Sequence, residues 1–212
     1  MVPKDGSGRV KQGFDPISWG NGYTEGNAYH HSFPPFLLNR LSKLHGGADR
    51  LAKKILDVVH APGHFRAGSY GQEIHEMTEA RAFSMGQYAH NNQPVHHMLY
   101  ILGAIGYPKD TARLVRHVME KGYGIDFYAG DEDNGEQGAW YVLSALGLFG
   151  LALGTPDYAI GSPVFRHVTI ARPAGGAENT VAPLYTPDHR EIHTGLPRSG
   201  SGVDPLHIVA TG

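Results

Sequence analysis

The 212-residue chain is long enough for one domain, or one and a fraction, and its 41% hydrophobic content supplies a core that argues against wholesale disorder. A net charge of −2, with no cluster of Lys and Arg and no apolar run long enough to cross a bilayer, leaves nucleic acid and membrane without support as partners. The absence of cysteine excludes disulfides and thiolate metal sites, and the count of 14 histidines decides nothing by itself.

Residues 1–30 are rich in Gly, Pro and Asn and read as loop, and residues 1–6 lack the apolar core of a secretory signal. Phe36, Leu37, Leu41 and Leu44 recur at helical spacing and predict a helix over 36–44. Gly46-Gly47 stops it, and Leu51, Ile55, Leu56 and Val59 predict a second helix over 48–60. A loop with Pro62-Gly63 and Gly68-Ser69-Tyr70-Gly71 leads into a third helical stretch over 75–90. Pro94 is suited to open a fourth helix, which carries Tyr100, Ile101, Ala104 and Ile105. A fifth spans 109–121 with Ala112, Val115, Val118 and Met119 on one face. A sixth, over 135–149, is apolar nearly all round and reads as buried, with Trp140 and Tyr141 in the core. Six helices joined by short loops predict three stacked helical hairpins. Beyond residue 154 the pattern changes: 158–161 and 164–170 read as short strands, and 171–212 as irregular with at most one more strand near 206–210. The expected division is therefore a helical domain over 1–154 and a β-containing tail over 155–212.

Most metal and nucleophile templates fail. His75-Glu76-Met77-Thr78-Glu79 starts like a zinc-protease helix but has Glu79 where the second histidine must stand. Asp131 and Asp133 begin like a calcium-binding helix-loop-helix, yet Glu136 replaces the turn glycine and Val142 the bidentate glutamate. No phosphate-cradling loop or nucleophile elbow is present. What remains is four polar clusters at helix starts: Glu25 between glycines and aromatics, residues 71–77, residues 90–97, and the acidic run Gly130-Asp131-Glu132-Asp133-Asn134-Gly135. Carboxylates this dense repel one another unless a cation, a proton or a substrate relieves them, although an Asp/Asn/Gly run also makes a helix-capping turn. A helical toroid would gather such clusters at one end, where distant carboxylates can serve as acid and base in glycoside hydrolysis.

Several motifs occur in a fixed order. They are Phe14-Asp15-Pro16, Trp19-Gly20, Tyr23-Thr24-Glu25-Gly26-Asn27-Ala28, Gly71-Gln72-Glu73-Ile74-His75-Glu76-Met77, Gly86-Gln87-Tyr88-Ala89-His90, Asn92-Gln93-Pro94-Val95-His96-His97, the acidic run, Ala139-Trp140-Tyr141-Val142-Leu143 and Gly161-Ser162-Pro163-Val164-Phe165. Over 14–170 the chain resembles the carboxy-terminal part of glycoside hydrolase family 92, the calcium-dependent exo-acting α-mannosidases. The resemblance implies a mainly α fold, a partial (α/α)6 helical toroid followed by a short β segment. It implies an inverting release of mannose, often from α-1,2 linkages, with a mannose-containing oligosaccharide or N-glycan as partner and Ca2+ as cofactor. Glu25 falls at the general acid and Asp131 or Asp133 at the base. His75 and Glu76 fall at contacts to sugar and calcium, with Asp133 as a second metal ligand. Gln93 is sugar-proximal, and Trp19 is a candidate pocket wall. The family also carries an amino-terminal β-sandwich that this chain has no room for, and it points to a secreted or periplasmic location. Departures are Tyr29-His30 in place of Trp-Gln, Pro34-Pro35, Phe149-Gly150 in place of Tyr-Pro, and the tail from 171. Two other readings stay open: a remnant that binds carbohydrate without turnover, and a helical-barrel glycosidase of other sugar specificity.

Overall fold

A computed structural model describes residues 5–7, 9, 11–20, 25–152, 154, 157–165, 167–171, 179–181 and 207–211. Among these it is mainly helical, a partial helical toroid followed by short strands: α1 (Leu38–His45), α2 (Ala48–Val59), α3 (His75–Ala82), α4 (Met98–Ala104), α5 (Pro108–Gly122) and α6 (Glu136–Leu146). Short 3-10 turns at Ala28–His31, Gly68–Tyr70 and Gln93–Val95 lead into or between them. β1 (Leu148–Phe149) pairs antiparallel with β2 (Ala159–Ile160). β3 (His167–Ala171), flanked by β4 (Asn179–Val181) and β5 (His207–Thr211), forms a second antiparallel sheet. Two strands, β4 and β5, thus fall where at most one, near 206–210, is expected; the rest of that tail, and Tyr23 and Thr24 of the first acidic motif, lie outside the described residues.

Periodicity explains the core. Leu51, Ile55, Val58 and Val59 of α2 are buried, as are Leu114, Val115, Val118 and Met119 of α5, and they meet Leu99, Ile101 and Leu102 of α4. α1 packs on α2, and α4 on α5. A smaller cluster of Trp19, Met77, Ala80 and Ala89 joins the amino-terminal segment to α3.

Three expectations need correction. Phe36 and Leu44 have the right spacing but are 60% and 84% exposed: Phe36 precedes α1, which begins only at Leu38, and α1 turns Leu41, not Leu44, inward. α3 stops at Ala82 rather than near 90. Ser84 and Gly86 take left-handed backbone, and a Cβ on Gly86 would lie 2.6–2.7 Å from the carbonyls of Val58, Val59 and Ala61, so this stretch lies against the end of α2. Gln87 then bonds the carbonyls of Pro62 and His64 and the side chain of Asn27, tying three segments together. α6 is not buried all round: Trp140 is inside, but Tyr141 is 38% and Val142 56% exposed. The helix ends at left-handed Gly147, so that 148–149 becomes β1.

Behind α6 lies a buried imidazole chain. The Tyr123 hydroxyl donates to Gln137 Oε1 at 2.6 Å, so it accepts from His90 Nε2 at 2.9 Å, which leaves His90 Nδ1 to accept from the Tyr88 hydroxyl at 2.9 Å. His90 stacks on His96 with ring centroids 4.4 Å apart. Burial, and then the neighbouring His96, hold His90 well below the usual imidazole range, so it stays neutral.

Candidate active site

Four segments build one cleft of about 170 Å³. The first is the amino-terminal segment. Trp19 is buried edge-on against Phe65, its backbone N–H donates to the Arg66 carbonyl at 3.0 Å, and Asn27 is fixed by Gln87. Between these anchors Glu25 is exposed to the cleft, and its carbonyl accepts from the Tyr70 hydroxyl at 3.2 Å. Tyr70, Ile74 and Glu76 come from the second segment, at the start of α3, and Asn91, Asn92 and Gln93 from the third. Asp131 and Asp133 come from the fourth. Burial, and then the charges of Glu25 and Glu76, raise the Tyr70 phenol above its ordinary range.

The acidic run is held as a shaped turn. Gly130 has φ +86, and a Cβ there would sit 2.1 Å from the Asn91 carbonyl, so only glycine lets the turn approach the 91–93 segment so closely. Gln93 Nε2 donates to the Asp131 carbonyl at 2.8 Å. The carboxylate of Glu132 accepts from the backbone N–H of Gly135 and, at 3.1 Å, of Gly138, which spends it as a cap on α6. Asp133 and Asn134 both adopt positive φ, at 50° and 59°. Asp and Asn are the non-glycine residues that take this conformation most readily, as suits a tight turn.

His75, Glu76 and Asp131 each offer a ligand atom within 4.8 Å of the others, which makes them a group able to hold a metal ion. The oxygen donors fit calcium: Glu76 Oε2 and Asn91 Oδ1 are buried with no hydrogen-bond partner, and calcium takes carboxylate and amide oxygens. The His75 ring fits less well, since imidazole suits transition metals, and its Nδ1 already lies 3.0 Å from Glu79 Oε1. The hydrogen bond to Glu79, followed by the charges of Glu76, Glu79 and Asp131, raises the His75 pKa above its ordinary value.

The structure thus gathers Trp19, Glu25, Glu76, Gln93, Asp131 and Asp133 around one cleft, with exposed His75 beside Glu76. Asp133 lines the cleft but stands outside the metal-capable group, where Asp131 is instead. Gln93 is engaged with the acidic turn through its amide nitrogen. Sequence reasoning placed Ile74, Asn91 and Asn92 inside polar clusters at helix starts without singling them out, and missed Tyr70 as a cleft residue.

The model of the glycosyl hydrolase family 92 catalytic domain matches residues 1–192. Among solved structures, that of the family GH92 α-mannosidase BT3965 from Bacteroides thetaiotaomicron superposes with a TM-score of 0.64 at 22% identity, covering 86% of this chain and 22% of that one. The same α-mannosidase in complex with mannoimidazole gives a TM-score of 0.66 at 21% identity, covering 86% of this chain and 24% of that one. The chain therefore spans less than a quarter of the length of these similar structures. No curated protein sequence matches it. A family match over nine-tenths of the residues, on a fold shared with solved members and with the acidic motifs lining one cleft, has a single consequence: the chain belongs to glycosyl hydrolase family 92.

Proposed function

We propose that the chain forms the acid–base part of an inverting, calcium-dependent exo-α-mannosidase that releases mannose, with α-1,2 linkages as the expected target, from mannosides or N-glycans. One observation carries the reading. Glu25 and the Asp131/Asp133 turn, more than a hundred positions apart in sequence, line the same cleft as Glu76, whose buried Oε2 has no partner. In this reading Glu25 protonates the leaving glycosidic oxygen. Asp133, the carboxylate outside the metal-capable group, draws the proton from the attacking water, because a carboxylate that ligates a cation is a poorer base. Glu76 and Asp131, together with the buried, unpartnered Oδ1 of Asn91, would hold the ion, and Gln93 keeps the turn in place. Calcium, when bound, would supply a Lewis acid for the oxygens of the sugar. An amino-terminal β-sandwich, which the family carries, is the expected partner in closing the sugar pocket.

A second reading is carbohydrate binding without turnover. Hydrolysis of an α-mannoside, followed with calcium and with chelator, separates the two. Activity should be lost with chelator and should fall roughly 10²–10⁴-fold in Glu25→Gln and in Asp133→Asn. Turnover that persists in both variants sinks the mechanism, whereas calcium-dependent mannose binding with no turnover in the wild type favours the second reading.

A further inference from the structure

We infer that Glu79 is a positioning residue of this cleft, its two carboxylate oxygens setting the faces that His75 and Asn91 present to a bound sugar or cation. The inference rests on the cleft being the site proposed above. Glu79 lies one turn after His75 on α3, so the two side chains share a face. Its Oε1 is 3.0 Å from His75 Nδ1, and its Oε2 accepts from Asn91 Nδ2 at 3.3 Å. Asn91 Nδ2 also donates to the Glu76 carbonyl at 2.8 Å. With both amide protons spent on oxygens, the orientation of the Asn91 amide is fixed, and its buried Oδ1 is left as an acceptor with no protein partner. Likewise, with Nδ1 turned to Glu79, the His75 nitrogen left toward Glu76 Oε1, 3.3 Å away, is Nε2. One carboxylate thus orients two cleft groups that belong to separate elements, the supporting role that outer partners play around ligating and sugar-binding side chains. The residue type follows from this arrangement. A carboxylate accepts from both donors at once, whereas an amide at the same position offers one acceptor and one donor and must fail one of them.

The test uses the full chain, free of metal and sugar, at alkaline pH where the imidazoles are neutral. Nitrogen-15 NMR reads the His75 tautomer, and the side-chain amide signals read Asn91. The wild type should show His75 protonated on Nδ1. Glu79→Ala should move His75 toward the Nε2-protonated form and shift the Asn91 amide pair, while the signals of buried His90 stay in place. The near-isosteric Glu79→Gln guards against misfolding, and in it at least one of the two signals should move. His75 and Asn91 spectra unchanged in both variants overturn the inference. A second readout is binding of calcium alone, which should weaken roughly 10–100-fold in Glu79→Ala; where the wild type binds calcium, an unchanged affinity in the variant also counts against it. The NMR result stands whether or not mannoside is hydrolysed, so failure of the mannosidase reading and failure of this one are told apart.

Discussion

Gly130 shows how much of the site depends on one missing side chain. Alanine there would have to keep φ near +86 and place its Cβ 2.1 Å from the Asn91 carbonyl, a backbone atom that has little room to retreat. Gly130→Ala should cost about 1–3 kcal/mol, checked by urea denaturation, and should also displace the Asp131 carbonyl from Gln93. At this scale the sequence was informative where chemistry is rare. Three carboxylates within the run 130–135 and a glutamate between glycines stand out in any chain. It was silent on Tyr70, whose type is ordinary and whose place in the cleft comes from Glu25, distant along the chain.

At the scale of elements, the acidic run does two jobs. Glu132 caps α6 while Asp131 and Asp133 face the cleft, so one run serves both as helix cap and as candidate site. Glu132→Ala should destabilise the protein by about 1 kcal/mol, read from the shift in the denaturation midpoint, and should leave the cleft carboxylates in place. The opposite is expected of Leu44, which is 84% exposed on α1: Leu44→Lys should change stability by no more than about 0.5 kcal/mol in the same measurement. Helix existence was legible from spacing for α2, α4 and α5. The ends of α3 and α6 were not, because the turns at Gly86 and Gly147 are also fixed by close packing against the end of α2 and against Pro163, which no local window contains.

For the whole molecule, two conditions should tune stability. His90 is buried and neutral, its pKa depressed in the folded state. Its contribution is fully present above the unfolded value of about 6.5, and is lost as pH falls below it, because the unfolded chain then takes up a proton that the folded protein refuses. The expected slope from this group is about 1.4 kcal/mol per pH unit between the unfolded and folded pKa values. Denaturation across that window should show it, and His90→Phe should flatten the slope even if the variant is less stable throughout. Calcium should act by mass action: at about a hundred times its dissociation constant it adds about 2.7 kcal/mol, or roughly 5–10 °C in thermal midpoint. An unshifted midpoint in calcium would count against an ion at Glu76 and Asp131.

The sequence by itself determined the helical class, the amphipathic faces of α2 and α5, and the identity of the charged groups, because hydrophobic period and residue chemistry are local properties. Only the tertiary structure decided that Glu25, Glu76, Gln93 and the 131–133 turn share a cleft, that Glu132 is a cap, and that Asp131 rather than Asp133 joins the metal-capable group. Those outcomes depend on contacts between segments far apart in the chain, such as Asn27 on Gln87 and Gly130 on Asn91, whose energies no local window contains.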